Sequence, residues 1–399
     1  MSLNYDDMTD DRAILQAMLD ATPPGGTLEL DANRVCKIVI DNTVPQRGLI
    51  LPPKVKLKLN GTMLDMQFHT NVYGVRLQSY SQITDGRVYG TVSDTLSSSQ
   101  GIYHSLITGG DGYGEITDKN AIGPYSLAEG WGIHNLELYN TKPNGLHISG
   151  VGGMNNGHIS DILGPSNANA FGLINFDWGT VGPGGTIAQN RANFNNSNGS
   201  FYTIHPHNIK IERVRAKNFS NPISEIVRLS GASAIDVSNL TIDYAGTSGW
   251  SHYGGDFGYE FSLYNAERGQ AFMNTVLRNM TLYGTGGNAV RFDAYADNIA
   301  REVGYVPITN PIYPSNLLID GVAASAGVSC LTAINVGAIA GGFISRFRGG
   351  YFHTQGNFAS GVSRLQWRDS VMHGDNASYV ALAGAGAGGV SMNNVIFES

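Results

Sequence analysis

Residues 135–140 read Asn-Leu-Glu-Leu-Tyr-Asn, a polar residue followed by a short run in which leucines alternate with other side chains. The same figure returns at Asp161, Arg213, Asn239, Asn279, Asp320, Asp369 and Asn394, at intervals of 26, 52, 26, 40, 41, 49 and 25 residues. These intervals resolve into a unit of about 25 residues, sometimes doubled and sometimes enlarged by an insertion. A second strand-like run follows several anchors, at 145–150, 172–177, 225–230, 259–264, 289–294 and 330–335. Two such runs per unit fit the coils of a solenoid. A leucine-rich solenoid would repeat Leu-x-x-Leu-x-Leu-x-x-Asn, which is missing, and the β-branched, Asn and Gly content favours a parallel β-helix. Sandwiches and propellers need hairpin turns at roughly 8 to 12 residue spacing, a pattern the chain lacks.

Composition agrees with a chain of many turns. Of 399 residues, 52 are Gly and 35 are Asn, only 14% are charged, and 42% are apolar, enough for a sizeable core. The net charge is −7 with no basic tract, which argues against a nucleic-acid partner. Cys36 and Cys330 match no metal or redox spacing and read as buried thiols, and no acidic cluster has calcium-loop spacing. No metal and no cofactor are therefore expected. No stretch approaches 18 consecutive apolar residues and no secretion signal opens the chain, so no membrane partner is expected.

One segment reads as helix. Thr9 can cap it, Asp10 and Asp11 suit the positive end of the dipole, and Ile14, Leu15, Met18 and Leu19 form an apolar stripe that Pro23-Pro24-Gly25-Gly26 ends. The expected organisation is a capping helix in 1–26 and a β-helix body in 27–399, with inserted loops at 247–258 and 295–314.

The segment from Asp10 to Asp20, followed by Gly25-Gly26-Thr27-Leu28-Glu29-Leu30, resembles the opening of the right-handed parallel β-helix proteins of the pectate-lyase-like group, including polygalacturonases and phage tailspike depolymerases. In that group a short helix caps the first coil. The resemblance implies an all-β right-handed single-stranded parallel β-helix and a polysaccharide partner, and it is weak for the reaction, since the group holds hydrolases, lyases, epimerases and adhesins. The catalytic signatures of polygalacturonases are not found intact.

Placing Ile148, Ile174, Val227, Phe261 and Val290 inside the stack sends the alternate residues outward. One outward ladder then holds Asn175, Arg228, Ser262 and Arg291, the next holds Asp177, Ser230, Tyr264 and Asp293, and Glu260 shares the strand of Ser262. In a chain this poor in charge, that concentration points to a site, although pairing of Arg291 with Glu260 and of Arg228 with Glu225 as surface ion pairs would also account for it. The flanking insertions carry Trp250, Tyr253 and Tyr295, whose rings suit the apolar faces of sugars or else pin the loops. Glycoside hydrolysis needs two carboxyl groups about 5 to 9.5 Å apart. Glu260 and Asp293 are the expected pair, with Asp256 and Asp177 in reserve. The alternative is β-elimination or C5 epimerisation of a uronate, with Arg228 and Arg291 clamping its carboxylate and Tyr264 as acid or base. His205 and His207 loosely resemble part of the Asp-Pro-His-Glu motif of mannuronan C5-epimerases and are candidate binding residues. A third reading is a non-catalytic glycan-binding tailspike or adhesin. An extracellular or virion-associated location follows from the resemblance. The strand-like stretch 390–397 leaves no cap on the last coil, so a homotrimer or a further C-terminal region is expected.

Overall fold

The computed structural model describes residues 2–40, 48–69, 73–92, 105–109, 128–141, 145–151, 154–165, 172–177, 179–181, 202–204, 207–219, 225–230, 233–246, 248–253, 274–286, 288–293, 315–326, 329–334, 340–350, 363–373 and 390–398. Among these residues, strands build one sheet of 15 and a second of 9, and neighbouring strands in both run parallel. The chain alternates between the two sheets, as the coils of a parallel β-helix require.

The repeat anchors have a backbone cause. Asn135, Asp161, Arg213, Asn239, Asn279, Asp369 and Asn394 all take positive φ, between 48° and 58°. Asn and Asp tolerate this left-handed region better than most residues, which is why they recur there. Each anchor interrupts a first-sheet strand for one residue: His134 pairs with Ser160 and Leu136 with Ile162, while Asn135 and Asp161 form the corner between. At Asp320 the turn passes to the next residue, Gly321, with φ 71°.

Inside the stack, like positions lie over one another. Ile133, Ile159, Ile211, Val237, Leu277 and Ile319 form one continuous register on the first sheet, and none has measurable exposure. Ile107, Ile148, Ile174 and Val227 do the same on the second sheet, and Val290 continues that register one rung beyond Trp250. Burying each such side chain contributes about 1.5 to 3 kcal/mol, so the aliphatic stacks supply the main driving force.

The helix spans Arg12–Ala21, with Leu15 and Leu19 buried. Asp11, not Thr9, is its N-cap residue; the Thr9 hydroxyl donates to Asp6 at 2.7 Å. The buried Asp11 carboxylate instead accepts from the backbone N and side-chain Nδ2 of Asn4 and from the backbone N of Tyr5, which holds the N-terminal residues over the helix start. Gln16 donates to the Ile50 carbonyl at 3.0 Å and accepts from the Ile50 N–H at 2.8 Å. Ile50 lies on Leu49–Leu51, the end strand of the second sheet, so the helix satisfies an otherwise open sheet edge.

One expected boundary shifts. Residues 248–253 do not leave the coils: Ser248–Tyr253 is a strand paired in parallel with Glu225–Ser230 and Asn288–Asp293. Residues 259–264, expected to hold that rung, lie outside the described residues, as does the 295–314 insertion.

Candidate functional site

Strand alternation fixes the outer face of the second sheet. Because Ile148, Ile174, Val227 and Val290 stack inward, the next positions along each strand belong to the other face. The register joins Arg76, Thr108, Ser149, Asn175, Arg228, Ser251, Arg291 and Thr332 into one ladder across successive coils. Arg76, Thr108 and Ser149 are buried, whereas Asn175 and Arg228 are partly exposed, so the face opens toward the middle of the chain. The Arg228 Nε lies 3.6 Å from Oε2 of the buried Glu225, the ion pair that the sequence suggested. The Asn175 Oδ1 is buried with no hydrogen-bond partner among the described residues.

The expected ladder of Asn175, Arg228 and Arg291 is present, with Ser251 on the rung expected for Ser262. Trp250 takes the rung of Val227 and Val290, the place expected for Phe261. Tyr253 pairs in register with Ser230 and Asp293, the place expected for Tyr264. Asp177 ends its own strand, one residue past Phe176, which pairs with Leu229. Glu260, Asp256, Tyr264, Tyr295 and His205 lie outside the described residues. His207 begins the strand His207–Phe219 on the first sheet, where it is exposed and its N–H donates to Asn155 Oδ1 at 3.3 Å, so it does not join the second-sheet ladder.

Two polar features of the first sheet were not foreseen. Along the anchor corner runs an open groove of about 800 Å³, lined by Asn33, Lys58, Asn60, Asp85, Arg87, Asn135, Glu137, Asp161 and Leu163. Asp85 accepts from Asn135 Nδ2 at 2.9 Å and from Thr84 Oγ1 at 2.8 Å. Burial raises its carboxyl, but these bonds and the nearby lysines outweigh it and leave it below the ordinary range. The Tyr89 hydroxyl donates to Glu137, and burial together with that carboxylate pushes the phenol up to about 12.

The second feature is a cluster one rung away. Glu212 accepts from His158 Nε2 at 2.7 Å and pairs with Lys210 and Arg213, and the Lys210 hydrogen bond is the leading cause that holds it near a pKa of about 2. Arg213 also grips Asp161 through two hydrogen bonds of 2.6 and 2.9 Å, which lower that carboxyl to about 2. His134 stacks edge-on against His158 at 4.8 Å between ring centroids, and burial, then the neighbouring histidine, lowers it to about 4. The signal was present in the sequence, since Asp161 and Arg213 are anchors, but their stacking into one line is visible only in three dimensions. Among the described residues no group of three His, Cys, Asp or Glu side chains is arranged to hold a metal ion, and no helix is long and apolar enough to cross a membrane.

No family model and no curated protein sequence matches the chain. Solved structures do. The mannuronan C-5 epimerase AlgE4 A-module of Azotobacter vinelandii aligns over 100% of this chain and 94% of its own, with a TM-score of 0.51 and 13% identity. The tailspike protein of E. coli bacteriophage HK620, solved with a pentasaccharide, aligns over 94% of this chain with a TM-score of 0.51 and 10% identity. This chain spans 64% of that tailspike. The chain is a right-handed parallel β-helix. At such identities the likeness concerns the fold, and chemistry has to be argued from the residues.

Proposed function

We propose that this β-helix processes an acidic polysaccharide bound across the outer face of its second sheet, with hydrolysis of the glycosidic bond as the first reading. The observation that carries it is the register: Arg228, Ser251 and Arg291 occupy consecutive rungs beside those of Ser230, Tyr253 and Asp293. Two arginine positions separated by a single serine rung suit a ligand carrying carboxylates. For hydrolysis Asp293 is one carboxyl group. Asp177 is three strands away, roughly 14 Å at about 4.8 Å per strand, too far to be its partner. The partner in this reading is Asp256 or Glu260, from the segment that follows Tyr253. The aromatic residues Trp250 and Tyr295 belong to the same stretch of chain and are assigned to sugar binding.

The pairing of Tyr253 with Asp293 favours one other reading. A tyrosine beside an arginine ladder is equipped for proton transfer at C5 of a uronate, by elimination or epimerisation, with Arg228 and Arg291 neutralising the carboxylate. The fold shared with an epimerase A-module and with a phage tailspike solved with a pentasaccharide supports a glycan ligand for either reading and an extracellular or virion-associated location; a homotrimeric assembly is proposed with it.

The experiment is incubation with a panel of acidic polysaccharides, following reducing ends and the ultraviolet absorbance of unsaturated uronate. Reducing ends without absorbance, abolished by Asp293→Asn, are expected. Absorbance would transfer the assignment to elimination, and a change in uronate stereochemistry alone to epimerisation. Binding with no chemical change would overturn the enzymatic reading in favour of a glycan-binding fibre.

A further inference from the structure

The corner groove of the first sheet belongs to neither reading above. It follows the anchor corner along the stack, so five short polar side chains, at Asn33, Asn60, Asp85, Asn135 and Asp161, recur once per coil. At about 4.8 Å per strand they span roughly 19 Å. A polar group at each rung is the pattern that an extended sugar chain meets with its regularly spaced hydroxyls.

Aromatic side chains stand next to the groove, on the strands that line it. One outward position past the groove-lining Arg87 and Glu137, Tyr89 and Tyr139 lie 5.5 Å apart between ring centroids with their planes tilted by 52°, both partly exposed. Tyr89 is fixed through its bond to Glu137, and Leu163 is exposed at 37% of its surface, so an apolar strip borders the polar line. Rings held in place in this way offer faces to the C–H side of a pyranose.

Charge decides which glycan. Lys58 is paired with Glu29 at 2.9 Å, Asp161 with Arg213, and Arg87 donates to the Gly61 carbonyl at 3.3 Å. Cations and carboxylates are thus interleaved, and with three carboxylates against two cations among its lining residues the groove offers a polyanion no net attraction. We infer that the corner groove is a second glycan-binding site, selective for uncharged extended oligosaccharides and distinct from the acidic-polysaccharide face.

The test uses the full chain and a panel of neutral probes, namely cello-, xylo-, malto- and isomalto-oligosaccharides, with oligogalacturonate as the charged comparison, read by isothermal titration calorimetry and saturation-transfer NMR. At least one neutral probe should bind. Tyr139→Ala should weaken it by roughly tenfold through loss of a stacking face. Glu137→Gln, which keeps shape while removing the charge that Tyr89 addresses, should weaken the same probe, with melting temperature checked for both variants. Asp293→Asn should leave neutral binding unchanged. If no neutral probe binds, or if Asp293→Asn removes the binding while both groove variants retain it, the inference is wrong. Either result leaves the outcome of the acidic-polysaccharide assay untouched.

Discussion

Acidification should destabilise the fold through His147, and the size of the effect can be worked out. His147 sits on the strand Leu146–Val151 with no measurable exposure, its Nδ1 3.1 Å from the Gly172 carbonyl and its ring 5.4 Å from that of Phe219. Burial lowers its pKa to about 4, against a small opposing effect of the Gly172 bond. The unfolded chain takes the proton near 6.5, whereas the folded chain refuses it until about 4, so stability is full above 6.5 and is lost as pH falls toward 4. Between pH 7 and pH 5 the linkage amounts to about 2 kcal/mol, and the complete loss to about 3 kcal/mol. His134 acts in the same direction, more weakly because it is partly exposed. Glu212 and Asp161 lose their contributions only as pH falls from their ordinary range toward about 2, a lower window. Urea unfolding at pH 7 and pH 5 is the assay. His147→Gln keeps an N–H donor without a titrating ring, so it should be less stable at pH 7 and lose most of the difference between the two pH values. An undiminished difference in His147→Gln would refute the assignment.

Two further substitutions probe the coil geometry. Asn135→Val places a β-branched residue at φ 50° and removes the bond to Asp85, so urea unfolding should show a loss of about 1 to 2 kcal/mol, with Asn135→Gly recovering part of it. Gly172→Ala would bring a Cβ within 2.4 Å of the Glu225 carbonyl on the next coil; thermal melting should show a loss of about 1 to 3 kcal/mol, and an unchanged melting point would mean that the coils can separate there.

The anchors could be read in the sequence because a left-handed corner selects for short polar side chains, and Asn135, Asp161 and Asn239 advertise that demand. The second-sheet register was equally legible wherever Ile, Val and Leu alternate, as at 172–177 and 225–230. It failed in one coil because two stretches competed. Residues 259–264 alternate more cleanly, but Ser248–Tyr253 begins nine residues after Asn239, and in other coils the second strand begins nine to twelve residues after its anchor. Connection length outweighed alternation: a coil of fixed girth allows little freedom in the turn. The corner groove was hidden for a different reason. Lys58, Asp85, Glu137 and Asp161 stand 24 to 52 residues apart, and nothing local marks them as neighbours until the coils stack.

That stacking also separates the two surfaces along the molecule. Among the described residues the outward ladder of the second sheet is buried at Arg76, Thr108 and Ser149 and partly exposed at Asn175 and Arg228, from the coil of Gly172–Asp177. The corner groove lies on the coils before that, from Asn33 to Leu163. Sites on separate coils and separate sheets share no side chain, and effects of substitutions at distances beyond about 10 Å add. Combining Tyr139→Ala with Asp293→Asn should therefore reproduce each single effect unchanged, and a departure from additivity would show that one ligand bridges both surfaces.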